Sequence, residues 1–449
     1  MKKNLTEGSV FKTILTFSLP YLLSYFLQTL YGMADLFIIG QFNGVECTTA
    51  VSIGSQVMHM ITVMIVGLAM GSTVMIGHAV GAGKQNDAAK ATGNTATLFL
   101  GLSLVLMVIL LLIVRPVISL MRTPAEAVSG TVTYLTICFI GIPFITAYNI
   151  IASIFRGMGD SKSPMYFIAI ACAANIALDY LFIGILGMGP AGAALGTTLS
   201  QTISVLVSLT VIIRKKMLAL TRQDFYPARA VIRGLLSVGV PVALQDGFIQ
   251  ISFLVITAIA NNRGLTDAAA VGIVEKIIGI LFLVPSSMLS AVSALCAQNL
   301  GAGRQDRAKQ TLRYAIELAV GFGLVSALLM QFAAEPVVGL FVSGKDAGVI
   351  RAGAQYLHGY VWDCVLAGIH FCFSGYFCAC GKSGISFLHN CISILFARIP
   401  LAWLASRMFA DTLMPMGLAT AIGSGVSVIV CVIAYLWLNK RNTENLRCE

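Results

Sequence analysis

The chain has 449 residues, of which 57% are apolar and only 11% charged, and its 29 Lys and Arg against 19 Asp and Glu give a net charge of +10. A typical soluble protein carries charge on roughly 25% of its residues, so this composition excludes a soluble globular protein and makes a lipid bilayer the natural solvent. The basic excess then belongs to cytoplasmic loops, not to a nucleic-acid surface.

Apolar runs of at least about 18 residues predict membrane-spanning helices. The first covers residues 11–39. Met1-Lys2-Lys3 ahead of it imitates a signal peptide, but Pro20 interrupts the run and no small-x-small site follows, so an uncleaved span is expected. Five more runs follow at 48–80, 91–114, 130–155, 164–186 and 190–213. A polar connection at 214–233 holds six basic residues, Lys216 among them. The second set lies at 231–260, 268–298, 311–333, 350–377, 384–409 and 415–438. The fold class expected is an all-α integral membrane protein. Its twelve spans form an N-terminal six-helix bundle (1–213), a basic linker (214–233) and a C-terminal six-helix bundle with a short tail (234–449).

An even number of spans puts both termini on one side, and the basic residues choose which. Placing the termini in the cytoplasm gives that side twenty-one of the 29 basic residues, including Lys2, Lys3 and Arg447. The opposite side holds six: Arg115, Arg122, Arg263, Lys345, Arg351 and Arg407. The asymmetry predicts cytoplasmic termini in the cytoplasmic membrane.

The two halves repeat. Gly81-Ala82-Gly83-Lys84-Gln85 returns as Gly301-Ala302-Gly303-Arg304-Gln305, Leu19-Pro20 as Val240-Pro241, and Tyr134-Leu135 as Tyr356-Leu357. A nearly constant offset over a whole half is the signature of duplication. Six spans per half give both halves the same orientation, the parallel repeat found in many carriers. Such a pair can expose a central site to one side at a time, which favours a carrier over a channel. A monomer suffices for that.

An intramembrane carboxylate is a candidate functional group by default. Those present are Asp35, Asp179, Asp246, Glu275 and Asp363. Ser24, Gln28, Tyr31 and Asp35 share one face of the first helix, Asn175 and Asp179 one face of the fifth, and Thr197 and Gln201 one face of the sixth. These polar faces can converge inside the N-terminal half. Two carboxylates held close in a poorly solvated pocket are suited to sharing a proton. Ionised, they suit a small cation such as sodium, helped by the oxygens of Asn175 and Thr197. A site that takes one or the other is what an exchanger needs.

In the second half, Asp246 and Gln250 share a face, as do Asp363, His370 and Ser374. Lys276 and Arg398 are expected to neutralise nearby acids, and His59 and His389 stand isolated in the sequence. Candidate substrate-lining residues are Tyr31, Gln56, Tyr148, Asn149, Gln250, Met288 and Phe371. The eleven cysteines are read as small hydrophobes rather than as metal ligands or disulfides. Gly381-Lys382-Ser383 lacks the glycine a phosphate-binding loop requires at position 376, which is Tyr. No protease or esterase motif occurs either. An enzyme is therefore not expected, no cofactor is implied, and the energy source is expected to be an ion gradient.

Leu19-Pro20, Gln28, Leu30-Tyr31, Asp35 and Gly40 resemble the first-helix signature of the MATE (multidrug and toxic compound extrusion) family. So do the two Gly-Ala-Gly segments and residues 156–164, Arg-Gly-Met-Gly-Asp-Ser-Lys-Ser-Pro. The resemblance covers essentially the whole chain. It implies two six-helix bundles around a central cleft, with drug or metabolite export against inward proton or sodium flow. The DinF-like branch carries a first-helix Asp, a fifth-helix Asn-x-x-x-Asp and a sixth-helix Thr, matched here by Asp35, Asn175, Asp179 and Thr197. The NorM-like branch relies on acids of the C-terminal half, where Asp246, Glu275 and Asp363 stand. Many members have Asn after the first-helix Tyr, and this chain has Gly32. The expectation is an antiporter for lipophilic, often cationic, small molecules in contact with membrane lipid. A lipid-linked oligosaccharide flippase of related fold is the alternative.

Overall fold

The structure, a computed structural model, describes residues 5–215, 220–342 and 346–445. Lys2, Lys3, Lys216, Lys345 and Arg447, used above to orient the chain, lie outside the described residues. Within the described residues all regular structure is helical. This is what a bilayer demands, because a helix satisfies its own backbone polar groups where no water is present.

The first half comprises α1 (Val10–Phe42), α2 (Val45–Gly81), α3 (Gln85–Leu112), the short α4 (Val114–Leu120), α5 (Ala125–Ile140), α6 (Ile142–Gly157), α7 (Lys162–Asp179) and α8 (Gly189–Lys215). The second comprises α9 (Arg229–Asn261), α10 (Leu265–Leu281), α11 (Leu283–Gly301), α12 (Gln305–Gly339), α13 (Ala347–Tyr360), α14 (Asp363–Ala379), α15 (Ser383–Ser393), α16 (Ile399–Met408) and α17 (Met414–Asn445). Ten helical stretches are long and apolar enough to cross a membrane, and the bent pairs α5–α6 and α13–α14 bring the number to twelve. Each of the twelve predicted spans has its counterpart. The 33 residues of α1 measure about 50 Å at 1.5 Å per residue, against a hydrocarbon core of about 30 Å, so tilted or protruding ends follow.

The halves repeat in detail. Their fourth spans are both broken, by 50° between α5 and α6 and by 42° between α13 and α14. The first break sits at Gly141, with Pro143 in the opening turn of α6. The first helices α1 and α9 both carry an internal proline, Pro20 and Pro241. In α1 the Ser24 hydroxyl donates to the Pro20 carbonyl at 2.7 Å. Both fifth spans contain a π-helical turn, Tyr180–Ile185 after α7 and Ile394–Arg398 after α15.

Two compact units result. Unit 1 holds residues 16–243 with 5–6 and 297–303, and unit 2 holds 7–15, 244–296 and 304 onward. The packing boundary thus falls inside α9, after Ala243, and not in the linker at 214–233. In unit 1, Tyr134, Leu135, Phe139 and Ile142 pack with Ile38, Val51 and Ala193, while Phe155, Phe167 and Tyr148 close a second core. In unit 2, Tyr356, Leu357, Tyr360 and Cys364 pack against Val271, Val274 and Ile277. Large apolar side chains also face outward on both units, among them Leu100 and Leu104 in unit 1 and Leu329, Phe332 and Phe396 in unit 2. Such faces would be a liability in water and are ordinary against lipid.

The repeated Gly-Ala-Gly segments have a steric origin. Gly83 and Gly303 adopt φ of 72° and 73°, a left-handed region open to glycine at little cost. Gly81 lies against the Gln298 backbone, and Gly301 against the His78 backbone, with no room for a Cβ at either. All four residues belong to unit 1. Gly81→Ala and Gly301→Ala should each destabilise by about 1–3 kcal/mol through overpacking. This should appear as a lowered melting temperature in detergent, while Gly101→Ala, where a Cβ meets nothing within 4 Å, should leave it no lower.

The end of the linker is docked, not loose. Buried Asn94 on α3 donates from Nδ2 to the Asp224 carbonyl at 3.0 Å and accepts at Oδ1 from the Ala228 N–H at 2.7 Å. The Thr97 hydroxyl donates to the Phe225 carbonyl at 2.8 Å. Asp224 in turn closes a capping box with Thr221.

Candidate functional site

In unit 1 three spans deliver polar groups to one buried place. Asp35 lies in the body of α1, Asn175 and Asp179 in the last two turns of α7, and Thr197 a little over two turns into α8. The Thr197 hydroxyl donates to Asp35 Oδ2 at 3.0 Å. Asp179 and Asn175 lie close enough to the Asp35 carboxyl to act on it electrostatically. Asp35 is 2% exposed, and Asn175 and Asp179 are fully buried.

Few of these atoms have partners. Asp35 Oδ1, both carboxyl oxygens of Asp179 and both amide atoms of Asn175 are buried with no hydrogen bond among the described residues. Thr198 Oγ1 and Gln201 Oε1 share that state. Buried polar groups are normally paired, so a concentration of unpaired ones marks a place adapted to something other than packing.

Local backbone shapes the site. Asp179 is the last α-helical residue before the π-helical turn, where Leu186 N–H reaches back to the Leu181 carbonyl at 2.9 Å. Single π turns inside α-helices recur at functional positions. Opposite Asp179, Gly196 of α8 leaves space for its carboxylate: a Cβ there would fall on Asp179 Oδ1. The sequence reading missed Gly196. Its signal was the pair Gly192 and Gly196, four apart, a small-residue stripe that lets helices approach closely.

Of the other predicted residues in unit 1, Tyr31 lies near both Asp35 and Tyr148. Tyr148 is buried beside Gln28. Ser24 and Asn149 bond to carbonyls of their own helices, those of Pro20 and Ile145. Gln56 and His59 are exposed on α2.

Unit 2 contains Gln250, Met288 and Phe371, and Phe371 packs edge-to-face on Phe282 at 6.2 Å. The C-terminal acids are spread out. Glu275 accepts from the Thr257 hydroxyl at 3.2 and 3.1 Å. Asp363 is buried, with no hydrogen bond to either carboxyl oxygen among the described residues, and half-buried Asp246 lies near Cys378.

The expectations for Lys276 and His389 are corrected, whereas Arg398 acts on Asp363 and Glu275 as expected, though without a direct ion pair among the described residues. Lys276 is exposed and makes no ion pair among the described residues. Adjacent helical residues point about 100° apart, which turns Lys276 away from the side that buries Glu275. Arg398 is buried but forms no ion pair within 4 Å among the described residues. It donates to the Tyr360 hydroxyl at 2.6 Å and lies over the Phe253 ring at 5.0 Å, with Asp363 and Glu275 acting on it at longer range. His389 is not isolated. Its ring meets His370 at 5.5 Å and bonds Ser374 and Ser427 at 2.9 and 3.2 Å. That group spans α14, α15 and α17, a convergence no single-helix pattern reveals.

The decisive observation comes from comparison. The MatE family model matches residues 20–181 and 241–404, one segment in each half. The chain belongs to the MatE family. Among its relatives is the probable multidrug resistance protein YpnP of Bacillus subtilis, 28% identical over 434 residues that cover 96% of this chain and 95% of that one. A protein of Shewanella oneidensis named FAD transporter is 26% identical and covers 96% and 95%. In structure, a crystallised MATE in complex with MaL6 superposes with TM-score 0.91 at 23% identity over 99% of both chains. A Pyrococcus furiosus MOP superfamily transporter superposes at 0.90 and 24% identity, covering 98% of this chain and 97% of that one. This MatE protein is accordingly a multi-pass membrane transporter and not an enzyme.

Proposed function

We propose that this MatE transporter is a proton- or sodium-coupled antiporter. It exports lipophilic, often cationic, small molecules across the cytoplasmic membrane by alternating access, working as a monomer with both termini in the cytoplasm. Asp35, Asn175, Asp179 and Thr197 form the coupling site, the DinF-like arrangement. The observation that carries this reading is the buried carboxylate pair from α1 and α7, of whose four oxygens only Asp35 Oδ2 has a hydrogen-bond partner among the described residues. A purely structural network would pair its members, because each buried unpaired polar group costs about 1–3 kcal/mol. A pair that takes up a proton, or a hard cation held by carboxylate, amide and hydroxyl oxygens, meets that cost. An ion can drive transport only by binding one orientation of the protein better than the other.

The test uses purified protein in proteoliposomes. A proton gradient and then a sodium gradient are imposed, and counterflow of a fluorescent organic cation is followed. One gradient should accelerate saturable efflux and the other should not. Indifference to both would reject the antiport reading, and lipid flipping would be assayed next.

A further inference from the structure

In unit 1 the end of the linker presents a surface apart from the carboxylate pair. Its backbone is fixed to α3. Asn94 and Thr97 donate to the Asp224 and Phe225 carbonyls at 3.0 and 2.8 Å, and Asn94 also accepts from the Ala228 N–H at 2.7 Å. Gly93 permits this close approach, because a Cβ there would run into the Asp224 backbone. The anchoring residues mark a level in the membrane. From Gln85 to Thr97 every residue of α3 is polar or small, whereas from Leu98 to Leu112 the only polar residue is Ser103. Leu100 and Leu104 of that apolar stretch face outward. The clamp therefore holds the linker where α3 passes from water into hydrocarbon.

The side chains held at that level suit such a boundary. Phe225 and Tyr226 are 42% and 70% exposed. Two rings displayed on a pinned loop gain nothing in water, but at headgroup depth aromatic side chains are favoured. Arg222, Arg229 and Arg233 flank them, all exposed and with no ion pair among the described residues. Arg229 and Arg233, four apart at the start of α9, share a helix face. The one carboxylate of this segment, Asp224, is occupied by its capping box, where Oδ2 accepts from the Thr221 N–H and hydroxyl at 2.8 and 2.9 Å. Three unneutralised guanidinium groups beside two exposed rings make a surface complementary to phosphates at the edge of a bilayer.

We propose that residues 222–233 dock anionic phospholipid headgroups of the leaflet that the linker faces. Arg222, Arg229 and Arg233 hold the phosphates, and Phe225 and Tyr226 insert among the headgroups. Cations alone would attract any anion. Rings clamped at the hydrocarbon edge favour an anion that carries acyl chains, so the partner is lipid and not free phosphate. The surface does not depend on the antiport reading, because lipid contact is measured at equilibrium without any gradient.

The experiment uses the full chain with Tyr226→Trp in vesicles of phosphatidylcholine containing a minority of phosphatidylglycerol. Brominated acyl chains, which quench indole fluorescence on contact, are placed on one lipid or on the other. The signal of the added indole is the difference from wild type, whose own tryptophans are Trp362, Trp403 and Trp437. Per brominated molecule, phosphatidylglycerol should quench at least about threefold more than phosphatidylcholine. Arg222→Gln, Arg229→Gln and Arg233→Gln together should bring that ratio to about one. All three side chains are exposed, so the fold should persist. A ratio near one before the arginines are replaced, or no quenching by either lipid, would overturn the proposal. So would a preference that survives their loss. Inorganic phosphate at constant ionic strength should leave the ratio unchanged, and its collapse would assign the arginines to free phosphate and overturn the lipid partner.

Discussion

Asp35→Asn should leave a folded protein whose gradient-driven efflux falls to the rate of protein-free vesicles. Asn keeps the shape of Asp and keeps an oxygen for the Thr197 hydroxyl, which donates to Asp35 Oδ2 at 3.0 Å in the wild type. What it removes is the ability to carry charge or accept a proton. Replacing one carboxylate of an unneutralised buried pair by a neutral isostere does not destabilise as truncation does, so the melting temperature should hold. Coupling has no such tolerance. If the ion no longer distinguishes the two orientations, its gradient has nothing to act on. Asp179→Asn should give the same result. The double variant should be no worse than either alone, since the two carboxyls act as one site and their effects are not additive. Wild-type efflux in Asp35→Asn, measured in proteoliposomes with equal protein content, would remove the pair from the mechanism.

The sequence made the architecture legible because lipid imposes one rule on every span. Twelve apolar runs became twelve spans, and the offset linking Gly81 with Gly301 and Pro20 with Pro241 survives as shared glycine turns and internal helical prolines. The gathering of Asp35, Asn175, Asp179 and Thr197 was also legible. Spacing of three and four fixes which residues share a helix face, and these polar faces had few other places to go.

Three-dimensional neighbours with no periodic signature were not legible. Arg156 reads in the sequence as one more basic residue at a loop, and only the fold shows it buried with its guanidinium over the Tyr21 ring. Lys276 and Arg398 read alike, as cations near acids. One is exposed and the other is buried against rings. The packing boundary inside α9 was hidden for a related reason. Composition marks where the chain is polar, whereas packing decides where a unit ends.

Gly196 is a packing residue whose effect should be read in transport. A Cβ added there falls on Asp179 Oδ1. Gly196→Ala therefore forces the carboxylate to swing away or α8 to draw back from α7, a shift on the scale of an ångström. Misplacement of that size in a preorganised site costs on the order of 100-fold in rate, and the overpacking itself should cost about 1–3 kcal/mol. Gly192→Ala separates the two effects. Its Cβ would press on the Phe182 backbone and on Ile183, not on the carboxylate. Both variants should melt lower than wild type, but per folded molecule only Gly196→Ala should lose gradient-driven efflux. Equal efflux from the two at matched folded protein would mean that the position of Asp179 does not matter to coupling, and the site would have to be sought elsewhere in the chain.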